Sequence, residues 1–148
     1  MNSIPNRLKL AGMVLALGFA LEPCSQASFW GAQPTGPKRV VVDKSQQELR
    51  AYEGNQLVFQ SRISSGKRGR ETPSGHFRVQ SKSLMHRSRL YNNAPMPYSV
   101  QFAGNYFIHG FKSVPHHPAS HGCIRLPIGQ AQQFYQWADR GTPVQVVQ

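Results

Sequence analysis

Tyr106-Phe-Ile-His109-Gly110, a proline-bearing loop, and then Ser120-His121-Gly122-Cys123-Ile124-Arg125-Leu126 is the stretch on which the reading of this chain turns. It holds a cysteine and four of the chain's six histidines. Tyr106 to His109 reads as a strand, preceded by Tyr98-Ser-Val-Gln-Phe102 and the turn Ala103-Gly-Asn105, so the pair predicts a hairpin. His109 ends its strand, where a side chain points over a sheet edge from a rigid base. The connecting loop, Phe111 to Ala119, contains Pro115 and Pro118 and has no helical period, which predicts a surface crossing that returns Cys123 toward His109.

The rest of the chain supplies the scaffold. Arg39 to Asp43, Glu48 to Tyr52 and Leu57 to Ser64 read as a strand meander, with Glu53-Gly-Asn-Gln56 as its tight turn. Ser65 to Gly75 is a basic, glycine-rich loop whose spacing matches no phosphate-binding loop. His76 to Lys82 alternates as one further strand. Leu84 to Pro97 is irregular, rich in Arg, Asn and Pro, and predicts a lid or rim. Pro127 to Arg140 carries the helical period of this region, with Ile128, Ala131, Phe134, Tyr135 and Ala138 on one face, Pro127 in the first turn and Gly141 at the C-terminus. Val144 to Val147 closes as a strand. The fold class expected is mainly β, a sandwich or mixed-sheet domain over 38–148 with one C-terminal helix.

The first residues read as a targeting segment. Arg7 and Lys9 precede an apolar run of 12 residues, Leu10 to Leu21, short of the roughly 20 that a bilayer span needs. Ser25-Gln26-Ala27 places small residues where a signal peptidase cuts, so cleavage is expected after Ala27, with 28–37 a flexible lead. Glu22 and Pro23 argue against lipid modification of Cys24. Cleavage would leave 121 residues, one domain, no integral membrane span and Cys123 as the lone cysteine. An exported thiol with no partner is a liability unless it has a task. The remaining chain carries about +10, which suits a polyanionic partner. Export to the periplasm or cell envelope argues against nucleic acid and for a carboxylate-bearing wall polymer or an anionic membrane surface.

Three chemistries fit the His/Cys cluster. In the first, Cys123 is a nucleophile, His109 its base and a charge that holds the thiolate, and the backbone N–H groups of His121, Gly122 and Cys123 form an oxyanion site. In the second, His109, His116, His117, His121 and Cys123 supply zinc ligands. Pro118 and Gly122 oppose a helix under the i, i+4 pair His117 and His121, and no Glu completes a metalloprotease motif. In the third, the histidines are surface residues and the cysteine is structural.

Ile108-His109-Gly110 with Ser120 to Leu126 resembles the active-site signature of the L,D-transpeptidases, the YkuD-type catalytic domain. Thr72-Pro-Ser-Gly-His-Phe77 and Met96-Pro-Tyr98 are similar to that family's upstream segments, in matching order, and the resemblance spans roughly 38–147. It implies Cys123 as the acylated nucleophile and His109 as its proton partner, oriented through the Gly110 carbonyl. It implies His121 and Gly122 at the oxyanion site, and Arg125, Tyr98 and Ser120 at the substrate. Arg125 stands where many members have Asn and would meet a carboxylate. The implied reaction is attack on a peptidoglycan stem tetrapeptide, release of D-alanine and transfer of the thioester to an amine, giving a 3–3 cross-link. No metal and no cofactor are called for. A water acceptor would make a carboxypeptidase or amidase, and a protein lysine an anchoring enzyme.

Overall fold

The computed structural model describes residues 34–148. The expected signal segment, its cleavage site and Cys24 lie outside the described residues. Nine strands and one helix follow in the order β1 (Lys38–Asp43), β2 (Glu48–Glu53), β3 (Gln56–Arg62), β4 (Gly75–Arg78), β5 (Ser81–Arg87), β6 (Pro95–Ala103), β7 (Tyr106–Phe111), β8 (Ile124–Pro127), α1 (Ile128–Trp137) and β9 (Pro143–Val147). They form a five-stranded sheet in the order β3-β2-β1-β9-β4 and a four-stranded sheet in the order β5-β6-β7-β8. The meander β1-β2-β3 is antiparallel, as the alternating sequence predicts, whereas β9 joins β1 in parallel.

One core lies between the sheets. Val40, Val42, Leu49, Val144 and Val146 enter it from the first sheet, Val100, Phe102, Ile108, Ile124 and Leu126 from the second, and Ala131, Phe134 and Ala138 from α1. Burying each of these larger side chains contributes on the order of 1.5–3 kcal/mol. Phe134 of the helix packs on Phe59 of β3 at a ring separation of 5.9 Å, and Trp137 flanks it from the same helix at 6.1 Å.

Several boundaries differ from the sequence reading. The single strand expected over His76 to Lys82 is two strands in different sheets. At Val79 and Gln80 the chain crosses between them: Val79 N–H donates to Thr142 O at 2.9 Å and Gln80 N–H to Gln101 O at 2.8 Å. Side-chain alternation runs on through the crossing, so the sequence carries no mark of it. The irregular segment expected over Leu84 to Pro97 contracts to the loop 88–94, because β5 reaches Arg87 and β6 starts at Pro95. Pro95 and Pro97 are tolerated there since β7 pairs only with the Val100–Ala103 end of β6, and no ladder bond is asked of their nitrogens on that side. The helix is shorter than its period suggested. Pro127 is its N-cap, Ala138 is already extended, and Gly141 (φ 86°) serves the turn beyond rather than the helix end. Ile128, expected inside, is exposed. Among the described residues no helix is long and apolar enough to cross a membrane.

Candidate active site

The site follows from one pairing. β7 and β8 run parallel, with Ile108 opposite Ile124, His109 opposite Arg125 and Gly110 opposite Leu126. Side chains alternate across a strand, so Ile108, Ile124 and Leu126 enter the core, where each is fully buried, while His109 and Arg125 take the other face. Cys123 sits immediately before β8, two positions from Arg125, and falls on that same outer face beside Phe107. The loop that separates His109 from Cys123 in sequence is therefore what allows a parallel return that brings them together. Both border one cleft, with Arg125, Phe111, Ser120 and His121.

Gly110 stands at a close approach of helix and strand. A Cβ there would lie 3.3 Å from Ala131 Cβ, Ile128 Cα and Pro97 Cγ, so the absence of a side chain lets α1 approach β7. The Gly110 carbonyl lies 2.9 Å from His109 Nδ1. A carbonyl only accepts, which places the imidazole proton on Nδ1 and leaves Nε2 as an unprotonated base.

The turn carrying the thiol is braced from beneath. Gly122 has φ +120°, and a Cβ there would stand 2.8 Å from a Tyr106 ring carbon, so only glycine fits. Its N–H donates to Ser120 Oγ at 3.1 Å, and that hydroxyl donates to the Cys123 carbonyl. Buried Thr72 donates to Gly122 O at 2.7 Å and accepts the Gly66 N–H at 2.9 Å. Ser120 is bonded through its backbone to Ser65 and Lys67. The basic loop after β3 thus forms the support of the turn that carries Cys123. Arg125 N–H and O both pair with Ser64, so β8 is held on its second edge as well.

Ser120 and Tyr98, assigned to substrate by the sequence reading, both make contacts within the protein. Ser120 is 1% exposed and spends its hydroxyl inside the turn. Tyr98 lies opposite an unpaired Leu84 in the β5/β6 ladder and takes φ 54°, which turns its ring toward Tyr135 on the helix side, 6.0 Å away. It borders none of the clefts that meet Cys123. Of the remaining histidines, His116 donates Nε2–H to Gln46 O at 3.0 Å, and the His117 carbonyl accepts from Ser64 Oγ at 2.8 Å. Both tie the crossing loop to the scaffold. Among the described residues no three His, Cys, Asp or Glu side chains converge on a point that could hold a metal ion.

Tyr91 is the residue that sequence reasoning missed. Its ring stacks on His121 at 4.6 Å, and its hydroxyl accepts from Arg70 at 3.0 Å and reaches the His121 carbonyl at 3.3 Å. It borders all three recesses that meet at Cys123, of about 270, 60 and 190 Å³. The loop 88–94 is accordingly a rim divided by Tyr91, and the Arg/Asn/Pro composition that marked it as a lid gave no sign of which residue faces the thiol.

The electrostatics of the pair differ from the ion pair expected. Burial lowers His109 to a pKa of about 4, outweighing the Gly110 hydrogen bond, with the Arg125 charge adding to the fall. Burial raises the half-buried Cys123 thiol above its ordinary value, against smaller opposing effects of the Phe107 N–H and Arg125. Both shifts favour neutral thiol beside neutral imidazole. The thiol's hydrogen-bond partner at rest is Asn105 O, at 3.7 Å. Arg125 is half-buried, lies 4.1 Å over the Phe111 ring and has no carboxylate partner among the described residues.

The sequence profile of the L,D-transpeptidase catalytic domain (YkuD) matches residues 37–146. No curated protein sequence matches the chain. An L,D-transpeptidase from Stackebrandtia nassauensis is similar at 28% identity and TM-score 0.71, over 83% of this chain and 62% of that one. One from Xylanimonas cellulosilytica is 32% identical with TM-score 0.68, over 76% and 61%. An L,D-transpeptidase solved in complex with imipenem shares the fold at 24% identity and TM-score 0.68, over 74% and 58%. The chain therefore spans less than two thirds of the length of these structures.

Proposed function

The chain belongs to the L,D-transpeptidase catalytic domain family, and from that premise we propose that it forms a thioester on Cys123 with the acyl group of a peptidoglycan stem peptide. The observation that carries the reading is the parallel β7/β8 register, which sets His109 and Cys123 on one face and around one cleft.

In this reading the Cys123 side chain leaves the Asn105 carbonyl and turns into the cleft that His109 also borders. As Sγ attacks the carbonyl carbon at the L-centre of the stem's third residue, its proton passes to Nε2. Proton transfer accompanies attack, since the neutral pair is favoured at rest. The tetrahedral oxyanion is received by the backbone N–H groups of His121 and Cys123, with Gly122 N–H already engaged by Ser120. Collapse breaks the C–N bond. The leaving D-alanine amine takes the proton from Nε2, and the acyl group remains on sulfur. An amine from a second stem then attacks the thioester, loses its proton to Nε2, and the thiol is regenerated by that proton. Arg125 offers a planar fork with no acid among the described residues to satisfy it, and its role is to hold a carboxylate of the diamino acid at the third stem position. Site and substrate meet in the cell envelope, which a strongly basic chain suits.

Purified protein incubated with tetrapeptide muropeptides is expected to release D-alanine and yield a 3–3 linked dimer. Imipenem is expected to add its mass once, on Cys123. Turnover that persists in Cys123→Ala would reject the reading, and mass spectra separate an amine acceptor from water.

A further inference from the structure

The outward face of the five-stranded sheet carries a second groove, of about 460 Å³, larger than any recess at the thiol. β9 is its floor, and β1 and β4 are its walls. The registers explain its chemistry. Arg78 of β4 lies opposite Pro143 of β9, and Val40 of β1 lies opposite Val144, so Arg39 is level with the same Pro143. Two arginines thus stand on either side of one strand, about 10 Å apart at the backbone from two inter-strand spacings. His76 and Gln145 form the next row, and all four side chains are exposed.

Neither Arg39 nor Arg78 has a carboxylate partner among the described residues. The acids nearest on this face, Asp43 and Glu48, are both taken by Arg50. The Arg39 guanidinium sits over the Tyr52 ring of β2 at 3.9 Å, a contact that spends none of its N–H donors. Arg78 spends one donor on Gly141 O at 3.0 Å and keeps the rest. The exposed large apolar side chains, Leu57, Leu84, Met85, Leu90 and Ile128, are all on other elements, so the groove lacks what a bilayer interface uses.

We propose that this groove is a wall-polymer binding site, separate from the thiol site, that takes the free carboxylates of peptidoglycan stem peptides between Arg39 and Arg78. The inference rests on the proposed substrate class but not on the thiol chemistry, because β1, β9 and β4 contribute no residue to the recesses at Cys123.

The test is co-sedimentation with purified sacculi, using Cys123→Ala protein so that no acyl-enzyme traps it. Arg39→Gln with Arg78→Gln is expected to weaken binding about tenfold, and added salt should weaken the parent likewise. The same double substitution in the protein with its thiol is expected to leave turnover of a soluble tetrapeptide muropeptide within twofold. Unchanged sedimentation of the double variant overturns the proposal, as does Arg-dependent binding to phosphatidylglycerol vesicles with none to sacculi. Arg-dependent sacculus binding by a protein whose Cys123 proves inert would leave the groove standing and remove the catalytic reading alone.

Discussion

Acidification from pH 6.5 to 4 should cost the folded domain about 3 kcal/mol through His109 alone. The imidazole titrates near 6.5 when unfolded and at about 4 when buried. Between those values the unfolded chain binds the extra proton, so stability is complete above 6.5 and is lost as pH falls toward 4. Linkage gives about 2 kcal/mol lost at pH 5 and about 3 kcal/mol at pH 4. The group is 4% exposed, so little solvent screening reduces this figure. Asp43, Glu71 and Asp139 also have lowered pKa values, through backbone or side-chain hydrogen bonds, but as carboxylates they release their contributions lower, as pH falls through and below their ordinary values of 3.8 to 4.5. Lowered His121 is nearly fully hydrated and adds only a small slope of the same sign. Urea unfolding at half-unit steps from pH 4 to 7, on the parent and on His109→Gln, isolates the effect. Whatever its starting stability, the variant should lack most of the parent's slope. Parallel curves for the two proteins, or a flat parent curve between 5 and 6.5, would refute the burial argument.

Alkylation of Cys123 by iodoacetamide should climb with pH through and beyond 9.0, the ordinary thiol value, because burial holds the thiol neutral; a plateau reached by pH 6 would mean a resting thiolate–imidazolium pair instead. Thr72→Val strands the Gly66 N–H and the Gly122 carbonyl in the interior and should destabilise by roughly 2–5 kcal/mol, read as a lower Tm together with slower acylation. A loss under 0.5 kcal/mol would show that the turn does not depend on this brace. Gly122→Ala meets both the φ of +120° and a ring carbon at 2.8 Å; an added cost of about 1–3 kcal/mol from strain alone and a drop in imipenem acylation rate are expected, and wild-type rates would contradict the packing described.

The elements legible in the sequence were those whose local signal agrees with their tertiary place. The β1–β3 meander alternates cleanly because one face is buried. His109 and Cys123 were legible as candidate chemistry because a strand His, a crossing loop and a Gly-flanked Cys have few other uses together, although His109 lies inside β7 (Tyr106–Phe111) and not at its end as the sequence reading expected. What stayed hidden depends on partners remote in sequence. The break between β4 and β5 is set by Thr142 and Gln101, about 60 and 20 residues away in the chain. Tyr98 turns toward Tyr135 on the helix, a contact remote in sequence that no local pattern announces. Tyr91 gave no local signal, since its role comes from Arg70 and His121. The direction of the Cys123 and His109 shifts is a matter of burial, and no residue beside either of them in the chain reports how much water reaches them.

β8 is only four residues long, yet it is paired on both edges, by β7 on one side and by Ser64 on the other. A strand so clamped has no private way to melt. Amide protons of Arg125 and Ser64 should therefore exchange with solvent only when the whole domain opens. The Cys123 sulfur thus adjoins some of the most durable backbone among the described residues, and under the proposed function whatever gives way to admit a bulky polymer is the rim at 88–94 rather than the floor beneath it.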